Sequence, residues 1–218
     1  MLPRSAVVLA LVEAGCHTLR MQSNRLEAFS DGVLAIIITI LVLELNVPEG
    51  HTLHELWETT GLSLLTYLLS FVYIGIYWNN HHHLFNVVDR VDGAVLWANL
   101  HLLLWLSLYP FTTAWMNETD LARTPTVVYG VNLLGAALAY YALVLVIERQ
   151  PGGRRLREAL GSDVKGKVSP ALYLLGIGLA FVEPWLGVVP FVAVAAMWLI
   201  PDRRVERYLE SEAGAETT

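Results

Sequence analysis

Charged and hydroxylated side chains flank the first apolar segment of this 218-residue chain. Arg25, Ser30 and Asp31 precede an uncharged run over residues 32–43, and Glu44 follows it. A run of that length is too short to cross a bilayer, because a spanning helix needs about 20 residues at a rise of about 1.5 Å each. If the segment spans, some of these charges lie near or inside the apolar slab. A charge in that position requires a polar partner or an aqueous path.

A second polar cluster, His81, His82 and His83, stands near the end of the next apolar segment. Successive residues of a helix point about 100° apart, so three adjacent imidazoles cannot face one metal ion. Neither a second cysteine nor an HExxH motif accompanies them, and we therefore predict no metal site. Instead we expect one or two of these imidazoles to bond to a polar residue of another helix, with Ser30 and Asp31 as candidates. Asn99 lies inside the third apolar segment, where an amide typically bonds to a neighbouring helix.

The helical periodicity of the first segment separates an apolar line from its polar groups. At about 100° per residue, the residues within about 40° of one line are Gly32, Ile36, Ile40, Leu43 and Val47. Thr39 lies on the shoulder of this line, whereas Ser30 and Asp31 point away from it on two flanks. Taken alone, such a stripe usually indicates packing against neighbouring helices.

The composition predicts an all-α polytopic membrane protein. The chain is 55% hydrophobic and 16% charged, with a mean hydropathy of +0.50, which exceeds that of ordinary soluble domains. Its apolar segments predict six transmembrane helices, near residues 25–45, 59–88, 93–117, 124–147, 168–182 and 184–201. We expect residues 1–24 to form an N-terminal extension, 25–201 the membrane domain and 202–218 a charged cytoplasmic tail.

The distribution of basic residues predicts the orientation. If the N-terminus is cytoplasmic, thirteen of the fourteen Lys and Arg residues fall on the cytoplasmic side and Arg123 alone falls outside. Glu49, Glu55 and Glu58 occupy the first external loop. Both termini are therefore predicted to be cytoplasmic in a multi-pass protein of the cell membrane. The formal charge of −6, without a basic tract interleaved with aromatics, gives no indication of nucleic-acid binding.

Two motifs resemble the pattern of a known family. The first is Arg25-x-x-x-Phe29-Ser30-Asp31-Gly32-Val33, followed by Ala35-Ile36-x-Ile38-Thr39-x-Leu41-Val42-Leu43-Glu44. It resembles the signature of the transmembrane protein 175 family, potassium channels that are lysosomal in animals and located in the plasma membrane of prokaryotes. The second, Trp78-x-x-His81-His82-x-Leu84-Phe85 with Asp92, Asn99 and Pro110-Phe111, is similar to that family's second and third helices. The resemblance covers about residues 21–116.

The resemblance implies a potassium-permeable cation channel, not an enzyme, with the first helix lining the pore. Carried onto this chain, it makes Ile36, Ile40 and Leu43 the constriction and Thr39 its polar layer, with Glu44 at the mouth. Residues expected in an interhelical polar network are Arg25, Ser30, Asp31, His81, His82 and Asn99. The signature occurs once here, so a pore of four first helices requires a homotetramer among membrane lipids. K⁺ and other monovalent cations are then the expected permeant ions, and no cofactor is expected.

Two other interpretations remain at this point. A proton-coupled or cation transporter would use Asp31 and the His81–His82 pair as a relay, since such residues inside a membrane often carry protons. Neither internal repeats nor broken mid-membrane helices, which are frequent in transporters, are evident in the sequence. A membrane-bound metal enzyme would need further histidine motifs beyond His81–His83.

Overall fold

The computed structural model describes residues 23–86, 88, 91–150 and 164–199. Within these ranges the regular structure is helical, and the prediction of an all-α multi-pass protein is confirmed. The helices are α1 (Ser23–Leu43), α2 (Leu53–Asn86), α3 (Gly93–Ser107), α4 (Tyr109–Glu118), α5 (Arg123–Glu148), α6 (Val164–Val182) and α7 (Pro184–Leu199). The predicted extension and tail fall almost wholly outside the described residues, and the predicted domain limits stay predictions.

The lengths of these helices agree with a six-span protein in which the last span is short. Five stretches among the described residues are long and apolar enough to cross a membrane, and α3 and α4 together form one of them, Gly93–Glu118. The sixth, α7, has 16 residues. At about 1.5 Å per residue it reaches about 24 Å, which is less than the roughly 30 Å hydrocarbon core.

Side-chain caps start the second and third spans. Before α2, Thr52 and Glu55 form a capping box: the Thr52 Oγ1 accepts the Glu55 N–H at 3.2 Å, and a Glu55 carboxylate oxygen accepts the Thr52 N–H at 2.9 Å. At the start of α3, the Asp92 carboxylate accepts the Val95 N–H at 2.9 Å. Polar sequence signals thus fix where these helices begin.

The third span is interrupted near Pro110. Because proline has no N–H, the chain cannot continue an unbroken ladder of helical hydrogen bonds there. Instead α3 ends at Ser107, Leu108 bonds back to the Trp105 carbonyl at 3.3 Å, and α4 begins at Tyr109. Beyond the break, α4 packs against α1, α2 and α5.

An aromatic cluster joins α2, α4, α5, α6 and α7. Its members lie with ring centroids 6.0–6.4 Å apart and are Tyr73, Tyr109, Tyr129, Tyr173 and Phe191. Gly130 and Gly176 make room for the Phe191 ring, because a Cβ at either position would collide with it. This core holds the last three spans together, and it leaves α1 at the edge of the subunit against α2, α3 and α4.

Candidate conduction helix and its polar anchor

The helix α1 buries one face inside its own subunit. Its buried residues are Leu26, Ser30, Leu34, Ile37 and Leu41. At about 100° per residue these positions cluster about 120° away from the line through Ile36 and Leu43. The apolar members pack in the subunit core, and Ser30 is the single polar residue among them.

The opposite face of α1 is exposed in the isolated subunit. Ile36 is 59% exposed and Leu43 79% exposed, and Gly32, Thr39 and Ile40 are also exposed. The Thr39 hydroxyl donates to the Ile36 carbonyl at 2.8 Å, so its proton is used within the helix. Its oxygen retains lone pairs for an outside partner. The structure therefore places the predicted constriction residues together on a surface that the subunit itself leaves uncovered.

A chain of three hydrogen bonds joins the buried face of α1 to α3 and α2. His81 Nε2 lies 2.8 Å from Asn99 Oδ1, and Asn99 Nδ2 donates to Ser30 Oγ at 2.9 Å. Ser30 then donates to the Leu26 carbonyl at 2.9 Å. An amide oxygen only accepts, so Nε2 must be the protonated nitrogen of His81. We call Ser30, Asn99 and His81 the polar anchor of α1.

All three members of the polar anchor are buried, at 1% exposure or less. Buried polar groups require partners, and here each partner belongs to a different helix. Each of the three helices therefore fixes the position of the other two. His81 Nδ1 has no hydrogen-bond partner among the described residues.

The remaining residues of the predicted network differ in their contacts. His82 Nδ1 lies 2.7 Å from a carboxylate oxygen of Glu27 on α1, and its other nitrogen lies 3.2 Å from the Asn86 amide. Asp31 is partly buried and Arg25 exposed, and neither forms a side-chain hydrogen bond or ion pair with another described residue. The structure thus brings His82 to α1 through Glu27 and not through Asp31.

A cavity of about 510 Å³ opens beside the far end of α1. It is lined by Ile40 and Glu44 from α1 and the turn that follows, and by Ser107, Pro110, Phe111, Ala114, Trp115 and Glu118 from the α3–α4 region. Two carboxylates, Glu44 and Glu118, therefore border the same space as one predicted constriction residue. Their negative charge favours cations at this end of the helix.

Three side chains were missed by the sequence reasoning. Glu27 pairs with His82, and only its position one turn before Asp31 on α1 could have indicated a role. Phe29 is exposed and falls on the same helical line as Ile36, seven residues earlier. Glu118 joins Glu44 only through the fold, so no local pattern reveals it. Across the part of the chain that the structure describes, no cluster of His, Cys, Asp and Glu could hold a metal ion.

Together, the fold and the anchored, half-exposed α1 define a multi-pass helical membrane protein whose first helix has one buried face and one exposed apolar face. A sequence model described as "Endosomal/lysosomal potassium channel TMEM175" matches residues 25–110. That stretch contains α1, the polar anchor and the α3–α4 break.

Solved and named proteins agree with this match. A potassium channel of Chryseobacterium sp. strain P1-3 is 50% identical over 191 residues, covering 87% of this chain and 99% of the relative. One of Streptomyces collinus is 37% identical, over 74% of this chain and 84% of the relative. The crystal structure of a lysosomal potassium-selective channel TMEM175 homolog from Chamaesiphon minutus has a TM-score of 0.69 and 34% identity, over 82% of this chain and 96% of that one. The chain belongs to the TMEM175 family as a prokaryotic member, and the family is one of ion channels and not of enzymes.

Proposed function

We propose that the protein is a potassium-permeable cation channel of the leak type, assembled as a homotetramer with α1 of each subunit around the pore. The observation that carries this proposal is the division of α1 into a buried, anchored face and an exposed, apolar face. One copy of α1 cannot enclose a path for ions. Four copies related by rotation would bring four such faces to one axis, which is the usual way in which symmetric oligomers form pores.

The proposed constriction works through dehydration. A cation entering a ring formed by Ile36, Ile40 and Leu43 loses hydration without gaining oxygen ligands, so a narrow ring closes by dewetting. Thr39 adds four hydroxyl oxygens within this apolar path, each with its proton held by the Ile36 carbonyl. Such oxygens replace part of the water of an ion that dehydrates easily. This favours potassium over sodium by a modest factor.

The polar anchor is proposed to hold the pore-facing register of α1. A rotation of α1 by one residue would carry Ser30 away from Asn99 and leave buried polar atoms without partners. We propose that Arg25 and Asp31 act at the same membrane end, with His82 held by Glu27. At the other end, Glu44 would raise the local cation concentration at the mouth. We further propose a cell-membrane location with both termini cytoplasmic, and function without a cofactor.

Recording from the purified protein in a planar bilayer tests the proposal. Under a gradient of KCl against NaCl, a channel of this kind gives single-channel currents. Their reversal potential is shifted from zero toward the potassium equilibrium potential. A proton-coupled transporter using Asp31 and the His81–His82 pair would instead give a saturable flux that requires a pH gradient. Such a flux without unitary currents would contradict the proposal.

Native mass spectrometry of the same sample tests the assembly. A homotetramer has four times the chain mass of 24.2 kDa. A monomer or dimer that still conducts potassium would contradict the assembly, because neither supplies four copies of α1.

A further inference from the structure

A second cavity, of about 230 Å³, lies inside each subunit and away from α1. Its lining comes from α2, α5, α6 and α7, and includes Tyr73, Tyr77, Tyr140, Tyr173 and Trp198. The main contacts of α2 are with α1, α4 and α7. The part of α2 near Asn80 is joined to α5 by one hydrogen bond, in which the Tyr140 hydroxyl donates to the Asn80 carbonyl at 3.3 Å. The cavity occupies the gap beside this bridge.

The deep walls of this cavity are largely aromatic, and two of the tyrosine hydroxyls that line it are hydrogen-bonded within the protein. The Tyr73 hydroxyl donates to the Phe191 carbonyl at 2.6 Å, and the Tyr140 hydroxyl is used in the bridge to Asn80. Ile76, Ala137 and Val144 add aliphatic surface. An apolar chain is the occupant that suits such walls.

The rim of the cavity is basic and lies at one membrane boundary. Lys167 lines it, and the Lys165 ammonium lies 5.8 Å from the centre of the Trp198 ring. Trp198 is fixed in turn, because its indole N–H donates to Ser169 Oγ at 2.9 Å. Glu148 shares the rim, and the exposed Arg149 follows it directly. Among the described residues, Lys165, Lys167 and Arg149 place cationic groups at or beside this rim, which favours an anion. A fixed tryptophan is typical of the membrane interface.

We propose that this cavity binds one anionic glycerophospholipid, with an acyl chain among the tyrosines and the headgroup phosphate at Lys167. Basic pockets between transmembrane helices bind lipid headgroups in this manner. The site contains no residue of α1, so it is separate from the proposed pore. It exists once in each subunit and does not depend on the ion that the protein conducts.

Lipid titration of the delipidated full chain by native mass spectrometry tests the site. The probes are phosphatidylglycerol and phosphatidylcholine with identical acyl chains. We expect the wild type to bind phosphatidylglycerol more tightly. Lys167→Gln should weaken phosphatidylglycerol binding about fivefold, since one Lys near a membrane surface contributes that much to anionic binding. It should weaken binding of the zwitterionic phosphatidylcholine less. Arg123→Gln, which removes a cation from the other membrane end, is the matched control and should bind as the wild type does.

A second pair of variants tests whether the acyl chain enters the cavity. Ala137→Leu fills the wall and should weaken both lipids, whereas Ala171→Leu, at an exposed position of α6 outside the lining, should weaken neither. Unchanged binding by Ala137→Leu would overturn the proposal, because the lipid would then lie on the surface.

The wild-type melting temperature provides a readout that needs no cavity variant. A lipid bound only by the folded state raises it. Phosphatidylglycerol should raise it more than phosphatidylcholine, and sn-glycerol 3-phosphate should not raise it. Equal effects of the two lipids, or a gain with the free phosphate ester, would also overturn the proposal.

Discussion

The two faces of α1 use their polar groups in opposite ways. On the buried face, Ser30 bonds through Asn99 to His81, so its position depends on two other helices. On the exposed face, the Thr39 hydroxyl is satisfied by its own helix, at the Ile36 carbonyl, and no other described residue forms a hydrogen bond with it. The first arrangement fixes the orientation of α1, and the second leaves an oxygen ready for a partner outside the subunit. A change on one face should therefore alter assembly, and a change on the other should alter permeation.

The largest effect is expected for Asn99→Leu. It keeps approximate size but leaves the buried His81 N–H without an acceptor and Ser30 without its donor. An unsatisfied buried polar group costs about 1–3 kcal/mol, and two are affected here. We expect loss of the assembled oligomer and of current, measured by size-exclusion chromatography and thermal unfolding. Asn79→Leu, at an exposed position of α2 directly before Asn80, is the control. If Asn99→Leu were as stable as Asn79→Leu, the polar anchor on the buried face of α1 would not be what supports assembly.

The next largest effect is expected for Ile36→Asn. The side chain is 59% exposed in the subunit, so the change should lower the melting temperature little. If four copies meet at an axis, a ring of four Asn amides admits water to the constriction, and the leak conductance rises several-fold. Bilayer recording beside thermal unfolding separates the outcomes. A destabilised oligomer with unaltered conductance would show that Ile36 packs and does not line a pore, since burying an unpaired amide costs about 1–3 kcal/mol.

A smaller effect is expected for Thr39→Val, which preserves shape and removes the oxygen. The assembly should be unchanged, because this hydroxyl bonds only within α1. The reversal potential in mixed potassium and sodium should move toward zero while conduction persists. Thr126→Val is the control, since its hydroxyl also bonds within its own helix, to the Ala122 carbonyl at 3.0 Å, but is fully buried. An unchanged reversal potential for Thr39→Val would exclude this hydroxyl from selection.

The smallest effect is expected for Asp92→Ala. Asp92 makes a local contact at the start of α3 and belongs to neither face of α1. Accepting the Val95 N–H lowers the pKa of the Asp92 carboxyl below its ordinary value of 3.8. A lowered pKa means that the contribution to stability is present above pH about 4 and is lost as the pH falls through the lowered value. Asp92→Ala should cost about 1 kcal/mol at pH 7 as a lost N-cap. The difference from the wild type, measured by thermal unfolding, should shrink below pH 4. A difference independent of pH would contradict this origin.

Periodicity and helix-capping signals in the sequence predict much of the fold and the exposed face of α1. The 3.6-residue pattern of α1 placed Ile36, Ile40 and Leu43 on one line, and Pro110 indicated the break in the third span. Both features are local, so the sequence contains them directly. The functional roles of these residues stay predictions.

Contacts between distant segments could not be predicted in the same way. Glu27 and His82 are 55 residues apart, and their pairing depends on how α1 and α2 cross. The tyrosine-lined cavity depends on the separation of α2 from α5, which no periodicity specifies. Glu118 and Glu44 border the same cavity only because α4 packs against α1.

Cysteine accessibility measures directly whether the exposed face of α1 lines the ion path. In a Cys16→Ser background, Ile36→Cys and Leu43→Cys are compared with Ile37→Cys, which is 3% exposed, and with Leu174→Cys, which is 58% exposed on α6. A permanently charged thiol reagent reacts in water and not in lipid. We predict that it changes the potassium current of the Ile36→Cys and Leu43→Cys channels and has no effect on the other two. A current that is insensitive at Ile36 and Leu43, or equally sensitive at Leu174, would contradict the claim that α1 lines the pore.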